Sequence, residues 1–385
     1  MSILTLTAIA GLLACGMGVA LLGSVKLPLA RRLAIDEARV GGMVSMFPLA
    51  MIPVILAMGF LTDLVGQQQV LIGGILVMAA ALVVLATAGR YSVALVAVLL
   101  LSAGWSAQIN VLNVIMPAAF AATDAPGYAA NLGNFFFGLG AFLTPVFVAF
   151  LLEKTGFSRS LLLLAIAVLA TALLGGLARF TVPEPPGVDA DVPGFVSVLA
   201  DPMIWILGLS LFFYGPLEAS VAAWSTTIMT EKGITEKTAG WLLSGFWLAF
   251  MASRLATALG VAVFGLTTGW ETPWIIILSV AAVVVLAAMV KSRSASVGVA
   301  TVVLAGLVFG PIFPTVMGVL LGHFDPVVQG RAVGLFFAIG GIGWTGIPML
   351  IGAYAKKSSV QQAFLVAVGA AVGLTVIALV LHFMA

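Results

Sequence analysis

Long runs of apolar residues, separated by short polar or charged breaks, dominate this chain. A membrane-spanning helix needs about 20 mostly apolar residues, and charged residues mark the places where such helices end. On this rule the sequence predicts twelve spans. Their approximate bounds are residues 4–25, 40–61, 69–88, 92–121, 127–151, 160–179, 203–229, 238–259, 273–290, 296–322, 331–354 and 360–383.

The first apolar run has features of a cleaved leader, and residues 12–15 resemble a lipoprotein cleavage box. No Lys or Arg precedes the run, however, and it is too long for the apolar region of a secretory signal. We therefore expect a retained first spanning helix.

Composition agrees with a chain that is surrounded by lipid. Of 385 residues, 62% are hydrophobic and 8% are charged, whereas a soluble domain is about 25% charged. So few charges exclude a cytosolic enzyme, a nucleic-acid-binding protein and a secreted disulfide scaffold. The single cysteine, Cys15, permits neither an internal disulfide nor a cysteine metal cluster. The predicted fold class is an all-α polytopic membrane protein.

A polar, proline-rich stretch at residues 181–201 divides the twelve spans into six and six. Residues 133–140 and 334–341 match at four of eight positions, and a proline follows each segment. The predicted organisation is an N-terminal bundle (1–180), a linker (181–201) and a C-terminal bundle (202–385). Internal repeats of this kind are typical of transporters with a pathway between two pseudo-symmetric halves.

Several segments resemble a known family. Residues 59–66 (GFLTDLVG) are similar to the loop signature of the major facilitator superfamily, although three glutamines follow where the family usually has Arg or Lys. Residues 131–140, 214–218, 310–315 and 334–348 resemble the fucose permease-like sugar porters within it. The resemblance implies twelve helices, alternating access to a central site, and coupling to H⁺ or Na⁺. Carboxylates that proton-coupled members tend to carry in spans one and four are missing here.

An ionisable residue inside a span is costly and indicates function. Glu218 lies midway along the seventh span, with Tyr214 one turn earlier. Its carboxylate could accept hydrogen bonds from sugar hydroxyls or carry a proton; alternatively, it pairs structurally with another helix. Arg254, in the eighth span, could bind substrate, neutralise Glu218, or extend to the membrane interface.

Uncharged amides and tryptophans are the other candidates for substrate binding, because amides both donate and accept hydrogen bonds and indoles stack on sugar faces. The alternative roles are hydrogen bonds between helices and ordinary packing. The candidate residues are Gln108, Asn110, Asn113, Asn131, Asn134, Trp247 and Trp344.

The family resemblance implies that Asp63 has a structural or gating role. It would latch the loop after the second span to a facing helix terminus, and Arg331 is the expected partner. His323 and His382 have no carboxylate cluster around them, so we expect no metal. No nucleotide-binding loop or hydrolase motif is present, so we expect no enzymatic activity and no cofactor beyond a coupling ion.

Basic residues are distributed unevenly between the two ends of the spans. The loops after the odd-numbered spans hold thirteen, and the opposite side keeps only Arg179 and Arg331. The thirteen are Lys26, Arg31, Arg32, Arg39, Arg90, Lys154, Arg159, Lys232, Lys237, Lys291, Arg293, Lys356 and Lys357. The positive-inside rule would put both termini outside the cytoplasm, whereas the family resemblance puts both inside. The sequence leaves the orientation open.

We therefore predict a monomeric secondary transporter that moves a small polar solute, first of all a sugar, in a bacterial inner membrane. Two alternatives stay open at this point. One is an exporter of amphipathic compounds on the same fold, and the other is a non-transporting membrane receptor or lipid scramblase.

Overall fold

A computed structural model describes residues 1–180, 195–291 and 293–384. Within these ranges the regular structure is helical. The helices are α1 (Ile3–Leu33), α2 (Glu37–Val44), α3 (Met46–Val65), α4 (Gln67–Thr87), α5 (Tyr91–Ala119), α6 (Pro126–Thr155), α7 (Phe157–Leu177), α8 (Phe195–Ala200), α9 (Pro202–Glu231), α10 (Glu236–Phe264), α11 (Glu271–Lys291), α12 (Ala295–Phe309), α13 (Ile312–His323), α14 (Gln329–Ala355), α15 (Val360–Ala363) and α16 (Leu365–Met384).

Twelve segments of the described chain are long and apolar enough to cross a membrane, which confirms the predicted fold class. Four predicted spans differ in detail. The second is divided between α2 and α3, and the twelfth between α15 and α16. The first helix continues to Leu33 rather than ending near residue 25, and Arg32 at its end donates to the carbonyl oxygen of Ala88 at 2.7 Å. The tenth predicted span consists of two helices, α12 and α13, which are separated at Gly310 and Pro311. Proline cannot donate a helical hydrogen bond, which accounts for the break.

Backbone contacts divide the chain into two compact units. The first comprises Met1–Ala121, Phe136–Val198 and Phe324–Ala338; the second comprises Ala122–Phe135, Leu199–His323 and Ile339–Ala385. The domain bounds expected from the sequence stay a prediction. Residues 181–194 of the expected linker lie outside the described residues.

In the first unit, α4 packs against both α5 and α7, and α5 also packs against α1 and α3. Polar contacts secure one end of this unit. Arg32 and Ser158 both donate to the last carbonyl groups of the α4 segment, on Ala88 and Ala86 respectively. These carbonyl groups have no partner within their own helix, so side chains from α1 and α7 satisfy them.

In the second unit, α10 packs on α12, and α16 packs on both α9 and α11. Here Lys232, at the end of α9, donates to Met289, and Gln361 in α15 donates to Val290. In each half of the chain, a basic residue at the end of the first span and a polar residue near the start of the sixth span thus donate to carbonyl groups at the end of the third span. This shared pattern is a structural counterpart of the internal repeat in the sequence.

Candidate functional site

The first candidate site is the start of α14, where Asp63 acts as a cap from another part of the chain. Its Oδ1 accepts from the backbone N–H of Gly330 and its Oδ2 from that of Arg331, both at 3.0 Å. The Arg331 Nε also lies 3.0 Å from Oδ2. The first N–H groups of a helix have no intrahelical acceptor and carry partial positive charge, so a carboxylate is well suited to this position.

Glycines allow the backbones to approach closely at this point. A Cβ atom on Gly59 would lie 2.4 Å from the carbonyl oxygen of Gly330, so a larger residue would force α3 and α14 apart. The same carbonyl accepts from Asn110 Nδ2 at 3.0 Å, and Asn110 Oδ1 accepts from Thr62 at 3.0 Å. Both polar atoms of the Asn110 amide are therefore engaged in this helix junction. The partner Thr62 was not among the residues singled out from the sequence.

The other two amides of α5 are fully buried in the first unit. Gln108 Nε2 lies within hydrogen-bond distance of the carbonyls of Gly74 and Gly104, and Asn113 Nδ2 donates to Ile109 one turn earlier at 2.7 Å. Among the described residues, neither side-chain oxygen has a hydrogen-bond partner. An unpaired buried acceptor costs about 1–3 kcal/mol, so both oxygens are able to take an additional donor.

The second unit contains the two amides at the start of α6. Asn131 Nδ2 lies 2.9 Å from the carbonyl oxygen of Gly127 and 3.2 Å from Thr315 Oγ1. Within the described chain, Asn131 Oδ1 is buried without a partner. Asn134 Nδ2 donates to Ala130 at 2.9 Å. The structure thus leaves hydrogen-bonding capacity at Asn131.

Glu218 and Tyr214 also lie in the second unit, on α9. The Tyr214 hydroxyl donates to Glu218 Oε2 at 3.0 Å, and Tyr214 is 1% exposed while Glu218 is half-buried. Pro216 stands between them and removes one helical hydrogen bond from α9. The Glu218 side chain is thus partly exposed, whereas the Tyr214 side chain is enclosed by protein.

Arg254 is 3% exposed, so its side chain is buried inside the second unit instead of extending to the membrane interface. Its Nε donates to the carbonyl of Gly310 at 2.8 Å, and one terminal nitrogen donates to that of Asn134 at 3.1 Å. The guanidinium carbon lies 4.1 Å from the Phe250 ring centroid. Arg254 interacts electrostatically with Glu218, and its side chain lies close enough to the Tyr214 hydroxyl to interact with it.

The two candidate tryptophans pack against other groups of the second unit. Trp344 lies over Gly215, where an added Cβ would come within 2.8 Å of the indole. Trp247 makes edge contacts with Phe246 and Phe250, with ring centroids 5.0 and 5.4 Å apart. Both indoles remain partly exposed. Trp344 is thus adjacent, through Gly215, to the Tyr214–Glu218 pair.

Carboxyl, phenol, guanidinium and amide groups make up these candidate sites. No group of three or more His, Cys, Asp or Glu side chains that could hold a metal ion occurs in the part of the chain that the structure describes. The sequence reasoning missed Gly310 and Thr315, which provide partners for Arg254 and Asn131. A signal for Gly310 did exist: Pro314, four residues later, cannot donate to its carbonyl.

Twelve candidate spanning helices with buried amides and a partly buried Glu–Tyr pair define a polytopic membrane protein. The model of the Major Facilitator Superfamily matches residues 7–290, so the chain belongs to that superfamily. Residues 7–290 cover most of the chain, including the predicted signature loop at 59–66.

Solved structures share the fold at low sequence identity. The chain resembles FucP in the outward conformation with a TM-score of 0.79, 16% identity and 97% of each chain covered. The human organic anion transporter MFSD10 (TETRAN) gives 0.77 at 15% identity, covering 98% of each chain. The proton:xylose symporter XylE gives 0.80 at 13% identity, covering 97% of this chain and 94% of that one.

A curated protein of Saccharomyces cerevisiae, Bypass of stop codon protein 6, is 27% identical over 180 residues. The match covers 44% of this chain and 35% of the yeast protein. This chain therefore spans about a third of the length of its curated relative.

Proposed function

We propose that this protein carries a small polar solute, most simply a sugar, across the membrane by alternating access and couples that movement to protons. The observation that carries the proposal is the Glu218–Tyr214 pair, which lies midway along α9 and is balanced by Arg254. A carboxyl group in a membrane span is energetically costly, so its presence there indicates a function. A proton or a substrate hydroxyl is the partner that a carboxylate suits.

Neutral hydrogen-bonding groups support a sugar in preference to an ion. Gln108 and Asn113 in the first unit, and Asn131 in the second, each have an unpartnered carbonyl oxygen within the described residues. Hydroxyl groups are the donors that such oxygens accept. FucP is described as a fucose:proton symporter and XylE as a proton:xylose symporter, which agrees with this substrate class.

An organic anion is the second candidate substrate. A buried Arg254 provides a fixed positive charge, and MFSD10, which shares the fold, is described as an organic anion transporter. An anion would bind by replacing Glu218 as the counter-charge of Arg254. The two substrate classes therefore make opposite demands on Glu218: proton-driven accumulation of a sugar needs the carboxyl group, whereas binding of an anion needs it displaced.

Counterflow in proteoliposomes separates these hypotheses, because exchange requires a carrier but no proton gradient. The probes are radiolabelled fucose, xylose, glucose and p-aminohippurate, measured with wild type, Glu218→Gln and the control Glu153→Gln, whose side chain is exposed. We expect sugar counterflow in all three proteins. Accumulation driven by a pH gradient should be lost in Glu218→Gln alone. Exchange of p-aminohippurate without any sugar would overturn the sugar assignment.

We further propose that the protein works as a monomer in a bacterial inner membrane, without enzymatic activity or a bound cofactor. Superfamily membership supports the absence of enzymatic activity, because its members are carriers. Analytical ultracentrifugation in detergent tests the oligomeric state: a single species at the mass of one 39.6 kDa chain plus its micelle is expected.

For the orientation, we propose that both termini lie in the cytoplasm, as family membership favours. Thirteen basic residues favour the reverse orientation by the positive-inside rule. Two of them, Arg32 and Lys232, donate hydrogen bonds to backbone carbonyls and so also have a structural role. Cysteines introduced at Lys357 and at Asp325 should label differently with a membrane-impermeant maleimide on whole cells, with Lys357→Cys reacting. Cys15 is buried, which keeps the background low. Labelling of Asp325→Cys alone would reverse the orientation.

A further inference from the structure

The broken tenth span carries a carbonyl group that its own helix cannot satisfy. In a continuous helix, the carbonyl of Gly310 would accept from the residue four positions later, but that residue is Pro314, which has no N–H. The break therefore requires a donor from elsewhere. Arg254 Nε, on α10, is that donor at 2.8 Å.

Close packing keeps Arg254 at this position. A Cβ atom on Gly310 would lie 2.3 Å from the carbonyl oxygen of Phe250, one turn before Arg254, so α10 touches the break backbone to backbone. The guanidinium also donates to the carbonyl of Asn134 and packs over the Phe250 ring. A single buried cation thus connects α6, α10 and the junction of α12 with α13.

A buried cation needs a counter-charge, and here the connection to that charge runs through a tyrosine. In the described chain, no ion pair within 4.0 Å joins Arg254 directly to Glu218. Tyr214 donates to Glu218 at 3.0 Å and also lies close enough to Arg254 to interact with it. We propose that Tyr214 is a positioning residue that couples proton binding at Glu218 to the hydrogen bond between Arg254 and the Gly310 carbonyl in the broken tenth span. This inference rests on the proposed proton-coupling role of Glu218.

The direction of the effect follows from electrostatics. While Glu218 is ionised, Tyr214 and the carboxylate hold Arg254 against the Gly310 carbonyl. When Glu218 takes a proton, the buried guanidinium loses its counter-charge, which is strongly unfavourable, so it leaves for a more polar position and releases the carbonyl. The tenth span then loosens at its break. Proton binding on α9 thereby loosens the junction between α12 and α13, which belong to a different span.

Few other titratable groups face Glu218. Among the described residues, Tyr214 on its own helix and Arg254 on α10 are the groups that interact with it. Of the other elements packed against α9, α13 carries His323 and α16 carries His382, while α14, which contacts α9 through Trp344, carries Arg331 and Tyr354. All four lie at or near a helix end. The pH response of the break is therefore expected to originate from Glu218.

Hydrogen exchange of the purified protein in lipid nanodiscs tests this without any solute. Peptides covering residues 305–318 are followed at low and high pH, normalised to the exchange of the unfolded peptide. The proteins are wild type, Glu218→Gln, Tyr214→Phe and the control Tyr128→Phe, which removes another buried phenol hydroxyl. In wild type, exchange at the break should be roughly ten- to hundredfold faster at low pH, the factor expected for one charge-assisted hydrogen bond.

Each variant has its own expected outcome. Glu218→Gln should exchange fast at both pH values, Tyr214→Phe should lose the pH dependence, and Tyr128→Phe should keep it. A wild-type pH response in either Glu218→Gln or Tyr214→Phe overturns the inference, so failure of one variant to fold still leaves a decisive result. Absence of sugar counterflow would refute the proposed function without affecting this measurement.

Discussion

Replacing Asp63 by asparagine is the sharpest test of the α14 cap. The substitution keeps the size of the side chain and one acceptor oxygen but removes the charge. It replaces the oxygen that accepts from either Gly330 or Arg331 with an NH₂ group, which faces a backbone N–H. The ion pair with the Arg331 side chain is lost at the same time.

The magnitude follows from burial. The side chains of Asp63 and Arg331 are only 4% and 11% exposed, so their interaction is poorly screened by water. Removing one partner of a buried ion pair costs about 3–5 kcal/mol, and a hydrogen bond to a charged group contributes about 1.5–3 kcal/mol. Since these two effects overlap, we expect about 3 kcal/mol. That corresponds to roughly 150-fold faster opening of the first turn of α14.

The assay is hydrogen exchange of the backbone N–H groups of Gly330 and Arg331, which donate directly to the Asp63 carboxylate. Asp36→Asn is the matched control, because Asp36 caps α2 at an exposed site and asparagine caps a helix about as well as aspartate. We expect the control to change exchange at α2 by less than about threefold. Equally small effects of the two substitutions would refute the reasoning that the buried charge stabilises α14.

Two further substitutions test helix packing and capping in the first unit. Gly16→Ala should lower the denaturation midpoint in detergent, because its Cβ would lie 2.0 Å from the carbonyl oxygen of Phe137; Gly23→Ala in the same helix has open space and should stabilise by up to about 1 kcal/mol. A destabilised Gly23→Ala, or an unaffected Gly16→Ala, would contradict this. Gln68→Ala should speed exchange at the end of α7, because Gln68 Nε2 donates to the carbonyl of Gly175 at 2.9 Å. The exposed Gln69→Ala serves as control, and equal exchange in both variants would disprove the capping role.

The periodic breaks in hydrophobicity were sufficient to predict the spans, because a bilayer of fixed thickness sets the length of a helix that crosses it. The break at Gly310 was harder to predict. Prolines also occur inside continuous helices of this chain, such as Pro145 in α6 and Pro348 in α14, so a proline alone does not identify an interruption.

Helical spacing grouped Asn110 with Asn113, but it could not distinguish their roles. In the structure Asn110 joins the junction with α14, whereas Asn113 donates to its own helix and keeps its oxygen unpartnered within the described residues. The partners that decide this difference are Thr62 and Gly330, and Gly330 lies 220 residues away from Asn110 in the chain. A periodicity argument has no access to contacts of that separation.

By itself, the sequence determined that lipid surrounds most of the chain, how many spans the chain has and which family it resembles. These properties depend on composition, local hydrophobicity and short motifs. Tertiary structure alone decided what the few polar groups do. Arg254 had several possible roles on a linear chain, and only packing showed that it satisfies the carbonyls of Gly310 and Asn134. The physical reason is that lipid acts on each helix separately, whereas a buried polar group is stabilised only by the partner that the fold provides.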